Sequence, residues 1–530
     1  MKKNLLAISL ITMSCLYGML AAVIILVFAV AKLPIVYGIV LSLIILILQF
    51  LISPEVNDFV FKHFYKMKFG HEIPEYLEIF IRESCQKHNM KYPRIGFIDD
   101  GSPNAFTYGR TKNDARIVIT RGILELLTED EVKAVVAHEL GHANHYDMLF
   151  MTVAQVVPLV LYYVAEILLR SKSKSSSRDN DSSYFALIGI VSYALYIISQ
   201  YIILWLSRTR EYYADSFAIE ETKNPAALGN ALVKIGFGLA LGNKEEKSKM
   251  SKGNALGINN AKISKGMAIS SYNSGGVTKE NIVNSMKWEK WNIWAKINEL
   301  NSTHPLISKR LLAISARSEE FGQEPYIVFN ENKAEMYLDD FLIEIGILFA
   351  PILIFFLTFI ICIINYEKAL LMAGIGGLLF TISLFVLLNR KHKNKDYKET
   401  NVAELLSQVK VSEVTSIPCT LKGKIIGRGN PGCIFNEDFV LQDETGIIFL
   451  DYNQPLVVIE KIFALFKSKE YFDKKVKVKG WYRRGMVPYV EVYSIEIDGK
   501  VKKCHTYNVT KVFYWIFAII SIICIMMGLV

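Results

Sequence analysis

The chain contains no C-x-x-C pair. Its seven cysteines are scattered through 530 residues, and Cys15, Cys362 and Cys524 sit inside apolar runs. That argues against a disulfide framework and places the soluble parts in a reducing compartment. A strong charge imbalance is also missing. The net charge of +9 has a ready home in loops beside a membrane, so it is weak evidence for nucleic acid. The polarity of a wholly soluble protein is absent too. Hydrophobic residues make up 52% of the chain and the mean hydropathy is positive, which calls for both membrane and soluble parts.

Apolar runs cover Leu5–Val30 and Ile35–Ile52, then Met148–Leu169 and Tyr184–Leu206, then Phe341–Ile364 and Ala369–Leu388, and finally Val512–Val530. The first is too long for a signal-peptide core and pairs with the second as a membrane hairpin. Judged against the roughly 20 apolar residues that a crossing needs, this gives about seven spans. Lys2 and Lys3 hold the N-terminus in the cytoplasm, and Arg390, Lys391, Lys393 and Lys395 mark the same side. The large soluble segments then face the cytoplasm. The loop Arg170–Ser183 fits an external position poorly, and a hairpin only partly inserted over the site is the alternative for 148–206.

The chemistry centres on Glu131–Tyr146, EVKAVVAHELGHANHY. His138 and His142 stand at i and i+4, one above the other on a helix face, a spacing that lets both imidazoles reach one Zn²⁺. One residue on, Glu139 is placed to take a proton from a water on the metal. Thr128-Glu129-Asp130-Glu131 reads as an N-cap with acids in the first turn. The bland alternative is a core helix with hydrogen-bonded histidines. It leaves adjacent ionisable groups on an apolar run unexplained.

A site with two histidines needs a third protein ligand and an open position. Ser207–Asp215, SRTREYYAD, offers Glu211, with Asp215 one helical turn on to orient a ligand. The alternative is a solvated acidic face at the membrane boundary. His145 shares the His138 face but lies about 10.5 Å along the axis from it, too far for three ligands of one straight helix to converge. His304, before Pro305, is either an oxyanion donor or a capping or surface residue. The turn-rich loop Ser102–Gly109, between strands at Arg94–Asp99 and Arg116–Arg121, either accepts a peptide by strand addition or belongs to an ordinary small sheet. Pro74–Met90 and Ala226–Leu241 read as helices, and Gly242–Asn284 as a long polar loop.

Val411–Ile497 is a separate all-β domain. Strands are expected at Pro418–Gly427, Phe439–Gln442, Ile447–Tyr452, Lys475–Arg484 and Tyr489–Ile497, with a turn at Asp443–Gly446 and a helix over Gln454–Lys469. That arrangement matches an OB-type barrel. Trp481-Tyr482-Arg483-Arg484 are residue types that can stack on bases, but a barrel flanked by spans more often serves protein, lipid headgroups or spacing.

His138-Glu139-Leu140-Gly141-His142, Glu211–Asp215, Asn224-Pro225 and the stretch His304-Pro305 to Arg310, in this order, resemble the HtpX family of membrane zinc endopeptidases. At greater distance they resemble the CAAX prenyl endopeptidases. The resemblance covers roughly residues 1–317 and leaves the last spans and the barrel outside it. It implies one Zn²⁺ held by His138, His142 and Glu211, with Glu139 as general base. Asp215 would orient a ligand and pair with Arg310, His304 would stabilise the oxyanion, and Asn104, Ala105 and Phe106 would hold substrate as an added strand. It also implies membrane-protein or peptide substrates in the quality control of membrane proteins.

The expected fold is an α-helical polytopic membrane protein with a zincin-like α+β protease domain and a C-terminal OB-like β-domain. The domains are a membrane hairpin (1–53), the protease domain (54–341) with its inserted hairpin (148–206), a second hairpin (342–389), the β-domain (390–510) and a last span (511–530). Two rivals stand beside the quality-control reading. A CAAX prenyl endopeptidase would cleave a farnesylated peptide. A non-enzymatic scaffold acting through the barrel would tolerate loss of Glu139.

Overall fold

The computed structural model describes residues 2–30, 35–171, 180–241, 272–273, 276–277, 279–330, 332, 335–393, 396–428, 439–455, 471–485 and 487–529. They fall into two compact units. The first takes in Met1–Ile235 and Glu299–Val328; the second takes in Lys262–Asn298 and Phe329–Val530. Among the described residues, six helices are long and apolar enough to cross a membrane: Leu5–Val27, Asp147–Arg170, Tyr184–Thr222, Leu338–Ile364, Tyr366–Lys391 and Thr506–Leu529. The chain is a multi-pass membrane protein. The other expected run, Ile35–Ile52, is helical, but most of its side chains lie outside the described residues. The expected loop Arg170–Ser183 is outside them at 172–179, and the loop Gly242–Asn284 at 242–271.

The first unit begins with α1 (Lys2–Val30) and α2 (Ile35–Phe64). Pro54, expected to start the soluble segment, lies within α2, so the apolar run and the segment after it form one rod. Its end carries Asp58 and Phe61 to the sheet. Asp58 Oδ1 accepts the Tyr108 hydroxyl at 2.6 Å, and Phe61 packs with Met67, Ile98, Phe106, Tyr108 and Val118. The sheet holds β1 (Lys68–Phe69), β2 (Arg94–Ile98), β3 (Ala105–Gly109) and β4 (Ala115–Thr120) in the order β1-β2-β4-β3. β2 and β4 run parallel, while β3 runs antiparallel to β4 at the sheet edge. Helix α3 (Glu75–Lys87) packs against α5 (Glu129–Asn144), which follows the short helix α4 (Arg121–Leu126). The expected loop Ser102–Gly109 is therefore half strand. Its alternation puts Ala105, Phe106 and Tyr108 out of solvent, and a strand that buries such residues is held by packing rather than by turn chemistry.

After α5 come α6 (Asp147–Ser171) and α7 (Asn180–Thr222). The α7 helix is continuous over 43 residues, about 65 Å at helical rise, against a hydrocarbon core of about 30 Å. One helix thus carries both the apolar run and Glu211 and Asp215. α1 packs against α6 and α7 through Leu16, Leu20, Val23, Ala154, Val157, Leu161 and Ile203. α8 (Pro225–Leu241) and the helix Ile307–Glu320 follow.

In the second unit the sheet closes on itself. Ile417–Arg428 pairs with Phe439–Gln442 and with Lys475–Arg484, and Lys475–Arg484 pairs with Pro488–Ile497. Ile447–Asp451 pairs antiparallel with Phe439–Gln442 and parallel with Pro488–Ile497, which completes a five-stranded barrel. Short strands Lys398–Glu399 and Lys500–Lys503 extend it. Asp443 makes the expected turn by accepting from the backbone N–H groups of Thr445 and Gly446. The helix expected over Gln454–Lys469 lies outside the described residues at 456–469. Lys279–Trp291, expected in part as loop, is a helix whose Trp288 donates to the Val411 carbonyl at 2.8 Å.

The WYRR stretch is interior. Trp481, Tyr482, Arg483 and Arg484 are all buried. Trp481 donates to the Lys393 carbonyl, Arg483 pairs with Glu491 at 2.6 Å, and Arg484 donates to the carbonyls of Leu406 and Ser285. These side chains are occupied in holding the barrel and offer no stacking surface.

Candidate active site

α5 starts at a capping box. Thr128 accepts from the Glu131 backbone and the Glu131 carboxylate accepts from the Thr128 backbone, which satisfies two of the helix's orphan donors. Lys234 anchors the same carboxylate at 2.7 Å. The motif helix is buried on nearly every side, with His138 fully buried and Glu139 at 2% exposure. Gly141, between the two histidines, is where α7 crosses. A Cβ there would meet Ala214 Cα and Phe217 Cβ at 3.1 Å, so the missing side chain is what lets α7 come close.

That approach brings Glu211 to the histidines. The Nε2 atoms of His138 and His142 lie 3.1 Å apart. Glu211 is 3.6 Å from each, through Oε2 and Oε1 respectively. One ligand atom from each of the three residues fits within 4.8 Å of the others.

The outer nitrogens explain the arrangement. His138 Nδ1 contacts Asp215 Oδ1 at 2.9 Å, and His142 Nδ1 contacts Asp147 Oδ2 at 2.7 Å. A carboxylate only accepts, so both Nδ1 atoms carry the hydrogen. Both Nε2 atoms then present lone pairs to each other and to the buried Glu211 carboxylate. Such a cluster of acceptors is repulsive unless a cation lies among them. This donor set fits Zn²⁺. Burial pushes the His138 imidazole below its ordinary range. It does the same to His142, with the Glu139 carboxylate pulling the other way. Both rings are therefore in the neutral, ligating form near neutral pH.

Arg310 balances the two α7 acids. It bonds Asp215 through two nitrogens, at 2.8 and 2.6 Å, and lies 3.3 Å from Glu211 Oε2. Burial opposes its charge, but Asp215 and Glu211 outweigh that and hold the guanidinium above its ordinary value. His304 is buried with Nε2 3.5 Å from Glu211 Oε1 and Nδ1 2.9 Å from the Thr303 hydroxyl. Its loop is held by Arg208, which donates to the carbonyls of Glu299 and Ser302 at 2.8 and 2.7 Å.

β3 runs beside the motif helix, and Thr107 donates to the Glu139 carbonyl at 3.2 Å. Asn104 is tied by its backbone to Thr120, Ala105 is buried, and Phe106 points into the sheet core. What this segment offers is backbone at a sheet edge; the Phe106 side chain is spent on packing.

His145 caps α5, and its ring meets Tyr213 and Phe217 edge-on. Tyr146 at φ 58° then breaks the path before Asp147 starts α6. The motif helix does not run on into the following span.

Sequence reasoning missed Asp147, Arg208 and Arg210. Asp147, a lone acid five residues past His142 at the head of an apolar run, was a legible signal. The two arginines, directly after the apolar run that ends at Leu206 and beside Glu211, were another.

The family model for peptidase family M48 matches residues 72–318. Over 222 residues the chain is 37% identical to the Protease HtpX homolog of Methanothermobacter thermautotrophicus, covering 42% of this chain and 81% of that protein. The chain belongs to peptidase family M48. This M48 peptidase is also 34% identical over 164 residues to Protease HtpX homolog 2 of Methanosarcina acetivorans, covering 31% of the chain and 55% of that relative. It is 30% identical over 200 residues to the Protease HtpX homolog of Archaeoglobus fulgidus, covering 38% of the chain and 56% of that relative. Against these two relatives it spans about half their length. Among solved structures it is similar to S. mikatae Ste24p, at 18% identity and a TM-score of 0.33, covering 58% of this chain and 65% of that one. The family match ends before the last spans and the barrel, as the motif resemblance did.

Proposed function

We propose that this M48 chain is a zinc endopeptidase acting on membrane proteins at the cytoplasmic surface of the membrane. The observation that carries the reading is the cluster His138, His142 and Glu211, with both outer imidazole nitrogens committed to carboxylates. When bound, Zn²⁺ supplies Lewis acidity to a scissile carbonyl and lowers the pKa of water towards about 7. Glu139 takes the proton of the attacking water and delivers it to the leaving amine. His304 donates a hydrogen bond to the oxyanion. Asp215 keeps His138 in its ligating tautomer, and Arg310 neutralises the two buried acids. The substrate lies along the β3 edge from Asn104 through Ala105 and Phe106, paired by backbone.

The membrane-protein substrate class rests on α7, which delivers Glu211 from a membrane-spanning run. The cytoplasmic side rests on Lys2, Lys3 and the basic cluster at Arg390. The barrel's strand order, numbered along the chain as 1-2-3-5-4 and closed, supports its OB-like reading.

The test is Glu139→Gln in the full-length protein. It should abolish cleavage of a membrane substrate while zinc content stays at one per chain; cleavage that persists sinks the proposal.

A further inference from the structure

Behind Asp147 stands a second polar chain. Arg210, on α7 and 2% exposed, pairs with Asp147 Oδ1 while Asp147 Oδ2 holds His142 Nδ1. Arg210 Nη2 reaches across to Ser9 Oγ of α1 at 2.6 Å, and Ser9 is itself fully buried, its hydroxyl returning to the Leu5 carbonyl at 2.8 Å. The ring of Phe150 lies 4.7 Å from the guanidinium. A charged chain of this kind is costly to bury without partners. Each member here is met by the next: α1 to α7, α7 to α6, α6 to the motif helix.

We propose that Asp147 is the positioning residue for His142, that Arg210 fixes it, and that Ser9 makes the first membrane helix part of the metal centre. The inference rests on the zinc reading above and deepens it. His138 is oriented by Asp215 and Arg310, from α7 and the helix Ile307–Glu320. His142 is oriented by a separate circuit that closes through α1. The Tyr146 break exists in this scheme because Asp147 must turn back to reach His142. Seating of α1 against α6 and α7, which also brings the Tyr17 hydroxyl to the Val153 carbonyl at 3.0 Å, then completes the site.

The test is zinc affinity of the full chain in detergent, by competition with a chromophoric chelator, for wild type, Asp147→Asn, Ser9→Ala and Glu221→Gln. Loss of an outer partner of a metal-bound histidine typically weakens metal binding about 10- to 100-fold, and Asp147→Asn should do so. Ser9→Ala, which leaves the charged pair in place, should weaken it several-fold. Glu221, a half-buried acid paired with Lys87 and His88 away from His138 and His142, serves as control; its variant should lower the melting temperature without changing zinc affinity. Should Asp147→Asn fail to fold, Ser9→Ala carries the test. Affinities of both variants within two-fold of wild type overturn this proposal alone, as does a Glu221→Gln loss equal to that of Asp147→Asn. Wild type that binds no zinc overturns the zinc reading and this proposal with it.

Discussion

At the residue scale the site is a balance of buried charge. Three acids, Glu211, Asp215 and Asp147, face two neutral imidazoles and two arginines, and every partner is below a tenth exposed apart from His142. Removing one member of such a set leaves another uncompensated, a loss of about 3–5 kcal/mol for a buried pair. Arg310→Met should therefore lower the melting temperature by many degrees, readable by thermal unfolding, and should release zinc. The imidazoles set a pH dependence. His138 and His142 are lowered by burial, while the unfolded chain titrates near the ordinary value of about 6.5. Above that value both states hold neutral rings and the stability is fully present. Below it the unfolded state takes up protons first, so stability falls as pH drops towards the depressed folded values. Metal-free protein should unfold at progressively lower temperature from about pH 6.5 downward; a midpoint that rises on acidification would contradict the assignment.

At the element scale the decisive contact is α5 against α7 at Gly141. The two helices pack there with no side chain from α5 between them, and Glu211 lies one turn before the contact at Ala214. Gly141→Val would force the backbones apart. Overpacking typically costs about 1–3 kcal/mol, but here the displacement also carries Glu211 away from the histidines. The expected outcome is a loss of zinc affinity larger than the loss of stability, seen by comparing chelator competition with the metal-free melting curve. The barrel shows the same logic without a reaction. His392, Arg483 and Glu491 form a buried cluster, with Nε2 of His392 2.8 Å from Glu491, and burial raises the Glu491 carboxyl less than the His392 hydrogen bond and the Arg483 charge lower it.

At the scale of the whole molecule, the zinc reading ties metal to fold. A ligand that binds only the folded state stabilises it by mass action, roughly 2.7 kcal/mol at a hundred times its Kd. Titrating zinc into metal-free protein should raise the melting temperature with the logarithm of free zinc, and a chelator should reverse it. Glu211→Ala should abolish that dependence. Much of this organisation was legible in the amino-acid order. The spans follow from run length, because a bilayer crossing demands about 20 apolar residues in series. The pairing of His138 with His142 follows from i, i+4 spacing, because a helix stacks those positions. The barrel strands follow from alternation, because a strand turns successive side chains to opposite faces. These are local signals, each contained within a few turns of chain. What tertiary structure alone decided is non-local. That Asp147 turns back onto His142, that Arg210 reaches Ser9 across some 200 residues of chain, that Phe106 packs inward, and that Trp481 to Arg484 close a core rather than a surface all depend on which elements meet. Their partners lie far away in sequence, and a residue's neighbours in space carry no mark in its neighbours along the chain.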